Sequence, residues 1–199
     1  MLTAIVAMDK NRGIGHDNKL LFRIRPDMQN FKETTITPDR NGIVIMGRKT
    51  WESLPKRPLM NRKNIIISNQ SNESILGSDR EDTWKHGYFG NIDHSASCQV
   101  LNMAEVEDFI EQGNRREEMM FIIGGGSIYE HFLPQCHFLI ATEFDKEFEA
   151  DTFFPEFKRE FIEDEHISSG WWYDKQFTIT RYKSRWCNYR FPRYMFKNR

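Results

Sequence analysis

Ile122-Ile123-Gly124-Gly125-Gly126-Ser127-Ile128-Tyr129-Glu130 reads as a strand that stops at three glycines and continues as a helix. With no side chains there, the backbone can approach a ligand closely. A helix start also offers free N–H groups and the positive end of its dipole to an anion. A dinucleotide pyrophosphate suits such a turn. The run is not the six-residue GxGxxG pattern, however, and taken alone a structural turn accounts for it better.

Working outward, Ile45-Met46-Gly47-Arg48-Lys49-Thr50-Trp51-Glu52-Ser53 repeats the strand–glycine–helix theme, with two cations and a hydroxyl at the helix start. Guanidinium forks match phosphate oxygens. Two such units in one short chain suggest a single extended ligand lying across the carboxyl ends of neighbouring strands. Other apolar runs, Leu2–Met8, Ile43–Met46, Asn64–Ile67, Met119–Ile123 and Phe138–Thr142, are near-continuous rather than alternating. This is the pattern of strands covered on both faces. Helices are predicted between them: one opening at Pro26, then Arg48–Leu54, Met103–Gln112 stopped by Gly113, and Ser127–Leu133 ended by Pro134. Alternating strands and helices predict an α/β fold.

Asp27 and Phe31 share a helix face, and Leu20, Leu21, Phe22 and Met28 lie close in sequence. An aspartate in a first helical turn ordinarily steadies the helix dipole. Held against apolar neighbours, it is also a candidate for recognising a protonatable heterocycle. The basic loop Arg57-Pro58-Leu59-Met60-Asn61-Arg62-Lys63-Asn64 is either a solvated turn or a clamp for a carboxylate.

The 199 residues suit one large domain, and a net charge of −1 gives no global attraction to nucleic acid or anionic membranes. Three widely spaced cysteines, Cys98, Cys136 and Cys187, form neither a metal cluster nor a disulfide frame, so reduced thiols and a cytoplasmic setting are expected. No metal and no membrane span are expected. Ser71–Cys98 is polar and too long for an ordinary connection, which suggests a surface insertion. Glu143–Glu165 holds ten acids and three bases, and Lys175–Arg199 eight bases and no acid. Two solvated faces attracting one another within one domain is the preferred reading.

In order along the chain, Leu2–Met8, Gly13-Ile14-Gly15, Pro26–Lys32, Met46–Ser53, Arg62-Lys63-Asn64, Ile122–Glu130 and Ala150–Pro155 together closely resemble dihydrofolate reductases. The resemblance runs from Met1 to about Lys183, is interrupted at Ser71–Cys98, and leaves out a tail at Trp186–Arg199. It implies a central eight-stranded, mostly parallel sheet flanked by helices. It also implies reduction of 7,8-dihydrofolate to 5,6,7,8-tetrahydrofolate with NADPH, by hydride transfer to C6 and protonation at N5. That reaction supports one-carbon and thymidylate metabolism. A monomer is expected.

The resemblance also implies roles for single residues. Asp27 would be the catalytic residue, the only ionisable side chain facing the pterin, accepting hydrogen bonds from N3 and the 2-amino group and favouring protonation at N5. Ile5 and Thr142 would help hold that ring, with Met28, Phe31 and Leu54 packing around the substrate. Arg62, together with Arg57, would pair with the glutamate tail. The cofactor would lie along Ala7, then Gly13, Ile14, Gly15, His16, Asp17, Asn18 and Lys19, then Arg48, Lys49 and Thr50. It would continue past Ser68 and Asn69 to Ile123, Gly124, Gly125, Gly126, Ser127, Ile128, Tyr129 and His131. The Gly124–Gly125 bond would be cis. Departures exist. Relatives commonly have Pro-Trp where this chain has Leu21-Phe22, which removes a donor for a water near the pterin. Ser127 stands where many carry arginine and Asn69 has no charge, so Arg48 would carry more of the 2′-phosphate recognition. Two alternatives remain: a pyrimidine reductase of the riboflavin-pathway type, and an RNA-binding protein. The second would use the tail aromatics Trp186, Tyr189, Phe191, Tyr194 and Phe196 with Arg190, Arg193, Lys197 and Arg199.

Overall fold

The computed structural model describes residues 1–38, 42–76 and 96–191. Each of the five apolar runs is a strand: β1 (Leu2–Asp9), β3 (Ile43–Gly47), β4 (Lys63–Ile67), β6 (Met120–Ile122) and β7 (Phe138–Phe144). With β5 (Ser97–Leu101), β9 (Phe161–Trp172) and β10 (Lys175–Ser184) they form one eight-stranded sheet, in the order β5-β4-β3-β6-β1-β7-β10-β9. Among the described strands of this sheet, β10 pairs antiparallel with both β7 and β9, and the other pairs are parallel. A ribbon of β2 (Gly13–Gly15) and β8 (Thr152–Phe153) sits apart from it.

The runs are continuous because both sheet faces are covered. Along β1, Leu2, Ala4, Val6 and Met8 join one core with Val106 and Ile110. Ile5 joins the other with Val44, Met46, Phe121 and Ile140. Fully burying one such side chain is worth about 1.5–3 kcal/mol, so these central strands carry much of the stability. The helices are α1 (Arg25–Thr35), α2 (Arg48–Ser53), α3 (Asn72–Leu76), α4 (Met103–Arg115) and α5 (Gly126–Phe132). Pro26 lies in the first turn of α1, as expected, and Pro134 lies in a 3-10 turn that follows α5.

Two boundaries differ from the sequence reading. Gly113 does not stop α4, which runs on to Arg115; a Cβ there would lie 2.6 Å from Met120 Sδ. The glycine makes room for a buried side chain of β6 rather than ending the helix. The polar segment Ser71–Cys98 is also partly built into the fold. Asn72–Leu76 is helical, Asn72 Oδ1 accepts the Val100 N–H at 3.1 Å, and Ser97 and Cys98 belong to β5. An edge strand covered on one side carries too few apolar residues to announce itself. The middle of that segment, 77–95, lies outside the described residues.

The charge-segregated region is the β9–β10 hairpin and its surroundings. Arg181 meets Asp164 at 2.6 Å and Glu165 at 2.8 Å, and the Tyr182 hydroxyl donates to Glu143 at 2.6 Å. The acids on β9 also guard an open sheet edge. Beyond β10, Phe191 packs edge-on against Phe138 at 5.0 Å and Tyr189 against His137 at 4.7 Å. This stretch of the tail therefore covers its own domain, while 192–199, with the remaining tail aromatics and bases, lies outside the described residues.

One glycine brings α1 close to the sheet. A Cβ on Gly42 would lie 2.1 Å from the Thr35 carbonyl oxygen, an obstacle of backbone rather than side chain. Gly42→Ala is expected to destabilise the chain by about 1–3 kcal/mol. Urea unfolding checks this as a lower midpoint with an unchanged slope. An unchanged midpoint would show that the turn simply moves aside.

Candidate active site

Asp27 sits in the first turn of α1 but does not serve the helix end. Its Oδ1 accepts a hydrogen bond from Thr142 Oγ1 at 2.6 Å, across 115 residues of chain. Burial pushes the carboxyl above the usual aspartate range, and the threonine hydroxyl partly opposes that shift. Phe22, 7% exposed, stacks on Phe144 at 4.9 Å, so position 22 brings no polar group to the carboxylate. Phe31 and Leu54 are half-buried in the same apolar cluster as Phe22, whereas Met28 is 43% exposed.

Arg62 is not the solvated loop cation that its neighbourhood suggests. It is 8% exposed, and its Nε donates to the Met60 carbonyl at 3.0 Å. One terminal nitrogen donates to Thr35 Oγ1 at 2.7 Å, and the guanidinium lies 5.6 Å from the Phe31 ring centroid. Burial lowers its pKa to about 10, and among the described residues no carboxylate pairs with it. A desolvated cation without an internal anion carries an uncompensated cost that pairing with an external anion would relieve. Arg57 behaves differently. It is exposed and donates to the Trp51 and Glu52 carbonyls at 3.3 and 3.0 Å, which ties it to the carboxyl end of α2 rather than to the Arg62 pocket.

A groove of about 500 Å3 opens at Ala7, the register partner of Thr142. Ala7, Ile14, Gly15, Asn18, Lys19, Arg48, Lys49 and Thr50 line it, with the whole run from Ile123 to Tyr129. Sequence reasoning missed Val6, Leu20, Gly47, Ser53, Ile67 and Thr152, which also line it. Gly47 was legible as the counterpart of the glycine turn, since its N–H donates to the Gly124 carbonyl at 2.8 Å. The Gly124–Gly125 bond is cis, as the resemblance implied. A Cβ on either glycine would reach to 3.2–3.3 Å of Thr50 Oγ1, so side chains there would fill the cradle. Among the described residues lining the groove are three cations, Lys19, Arg48 and Lys49, and no acid. That chemistry fits a ligand carrying phosphates.

Six residues expected along the cofactor do not line the groove. Gly13 packs beneath it against Asp9 and Ala150. His16 faces the carboxylates of Asp17 and Glu149, and the Asp17 N–H donates to Asp151. Ser68 caps its own turn by accepting the Gln70 N–H, and Asn69 is exposed beside it. His131 pairs with Glu107 of α4 at 2.7 Å. The last is a matter of helix phase: residues one turn beyond the glycines point back toward the groove, but position 131 faces α4.

The two compartments share one wall. Thr142, which holds Asp27, is the register partner of Ala7 in the groove. The Tyr129 hydroxyl donates to the Ile5 carbonyl at 2.6 Å, and the charge of Asp27 acts on that phenol. A glycine-walled cationic groove abutting a shielded carboxylate, on a mostly parallel α/β sheet, fits the class of α/β proteins that bind a phosphate-bearing ligand at the carboxyl ends of their strands. Comparison with known proteins narrows the class. A family model described as dihydrofolate reductase matches residues 1–86 and 90–183. Dihydrofolate reductase of Bacillus subtilis is 34% identical over 157 residues, covering 79% of this chain and 77% of its own. The pig enzyme is 34% identical over 163 residues, covering 78% and 79%. The bifunctional dihydrofolate reductase-thymidylate synthase of carrot is 31% identical over 194 residues, 92% of this chain, which spans only 32% of that relative's length. The chain belongs to the dihydrofolate reductase family.

Among the described residues no cluster of three or more His, Cys, Asp or Glu side chains could hold a metal ion, and no helix is long and apolar enough to cross a membrane.

Proposed function

We propose that this chain reduces 7,8-dihydrofolate to 5,6,7,8-tetrahydrofolate, with NADPH as reductant. The observation that carries the reading is the Asp27–Thr142 pair set directly against the groove wall at Ala7, within reach of both a heterocycle and a nicotinamide. The groove from Arg48 and Lys49 to Gly124, Gly125 and Gly126 would hold the dinucleotide. Bound there, the reduced nicotinamide supplies the hydride that C6 of the pterin accepts. The chain's own part is positional and electrostatic. Asp27 accepts hydrogen bonds from N3 and the 2-amino group of the pterin, and its negative charge favours a proton at N5. Thr142 fixes the orientation of that carboxylate, and Phe22, Phe31 and Leu54 keep water from it. Arg62 takes a carboxylate of the glutamate tail. The overall balance consumes one proton and one reduced nicotinamide for each dihydrofolate.

The direct test is loss of nicotinamide absorbance when dihydrofolate is added to the protein, with NADPH and NADH compared side by side. No loss with either cofactor would overturn the assignment.

Recognition of the 2′-phosphate rests on Arg48, since Ser127 and Asn69 bring no charge. One Arg48 terminal nitrogen lies 2.7 Å from Glu52 Oε1, an exposed pair four residues apart that a phosphate can displace at little cost. Arg48→Ala is expected to weaken NADPH by about 1.5–3 kcal/mol and leave NADH nearly unchanged. Fluorescence titration with each cofactor checks this. Equal losses would mean that Arg48 supports the fold or a phosphate common to both.

A further inference from the structure

The mechanism makes no use of Asp9, a carboxylate only 2% exposed at the end of β1. Buried carboxylates are costly unless their oxygens are fully engaged. Here they are engaged by backbone from two separate parts of the chain. Oδ1 accepts the N–H groups of Asn11 at 2.9 Å and Gly13 at 2.7 Å. Oδ2 accepts the N–H of Phe148 at 3.0 Å, across 139 residues. A Cβ on Gly13 would lie 3.1 Å from the carboxylate carbon and 2.7 Å from the Cβ of Ala150, so the glycine is pressed between the two segments.

Each segment leads to one half of the site. From Gly13 the chain enters β2, whose Ile14 and Gly15 line the groove. Phe148 does not line the groove. Its ring lies 5.4 Å from Phe22 and 5.7 Å from Phe144, the aromatic floor beside the Asp27 pocket. One carboxylate, with one oxygen for each segment, thus sets where the groove wall stands relative to the substrate floor.

We infer that Asp9 is a positioning residue for cofactor binding, acting through Gly13 and Phe148; this rests on the groove being the dinucleotide site. The chemistry of the side chain makes the inference testable. Asparagine has nearly the same shape but only one acceptor oxygen. If that oxygen serves Gly13 and Asn11, the amide NH2 faces the Phe148 N–H, donor against donor. The reverse orientation abandons Gly13. Asp9→Asn therefore uncouples the segments without creating a cavity.

The experiment titrates wild type and Asp9→Asn with NADPH, and separately with folate, on protein whose folding has been checked. NADPH should bind about tenfold more weakly to the variant, the loss of roughly one charge-assisted hydrogen bond. Folate affinity should fall less than NADPH affinity, because Asp27 and Arg62 are untouched and Phe148 meets the substrate floor only through Phe22 and Phe144. Unchanged NADPH affinity, or equal losses for both ligands, overturns the inference, because a purely structural carboxylate lowers the melting temperature without separating the two ligands. A wild type that binds no NADPH overturns the functional reading and this role with it. A wild type that binds NADPH as well as Asp9→Asn does overturns only the role of Asp9. Should the variant not fold, amide exchange on the wild type decides the matter. NADPH should slow exchange at Phe148 together with Gly13, and a Phe148 amide indifferent to NADPH overturns the coupling.

Discussion

Asp27→Asn is expected to slow hydride transfer at neutral pH by about 10²–10⁴-fold, the range for losing a positioned acid–base group. The amide keeps the shape and can still accept the Thr142 hydroxyl, but it offers no negative charge to a pterin protonated at N5. The loss should shrink as pH falls, because protonation of dihydrofolate from solution replaces the missing help. Stability should move the other way. Burial holds the folded Asp27 carboxyl above its ordinary pKa, so between that ordinary value and the raised one the folded chain binds more protons than the unfolded chain. Stability attached to this group is therefore full at low pH and declines as pH rises through the raised value. At neutral pH the carboxylate costs folding free energy that asparagine does not, so Asp27→Asn should melt higher than wild type. A single-turnover rate profile against pH, with a thermal melt at each pH, reads both effects. Wild-type rates across neutral pH would sink the catalytic role. An ordinary helix-start aspartate predicts the opposite signature, lower stability with near-normal turnover.

The second large effect is at Arg62. Arg62→Ala is expected to weaken dihydrofolate by about 2–5 kcal/mol, the scale for truncating one partner of a desolvated ion pair. A 7,8-dihydropterin lacking the glutamate tail should bind both proteins alike. The contrast matters because Arg62 also bonds to Thr35 and Met60. If those contacts were its whole purpose, removing it would loosen α1 and affect both substrates equally. Measured affinities for the two substrates separate a clamp from a strut.

Much of the framework was legible along the chain. The five near-continuous apolar runs are strands because each is buried on both faces, which leaves few polar positions in them; Thr3, Asn64 and Thr142 are the buried exceptions. The glycine turn, the Pro26 helix start and the apolar setting of Asp27 are equally local, written in adjacent residues. The family resemblance, resting on ordered motifs rather than on any one of them, named the family. The hairpin of β9 and β10 was not legible, because an exposed edge strand of Glu163, Asp164 and Glu165 has no apolar period to betray it.

What only the tertiary structure decided is which distant groups meet. Nothing in the neighbourhood of Thr142 says that its hydroxyl reaches Asp27, and nothing around Asp9 says that it holds Phe148. A basic loop looks solvated in sequence, yet packing against Phe31 and Thr35 buries Arg62 and, among the described residues, leaves it without a carboxylate partner. Helix phase turned His131 away to Glu107, and Gly113 proved to be a packing glycine inside α4 rather than its end. The physical reason is the same in each case. Secondary structure follows from the burial pattern of neighbouring residues, whereas a hydrogen bond across a hundred residues depends on strand order, register and helix phase, which the whole chain settles together.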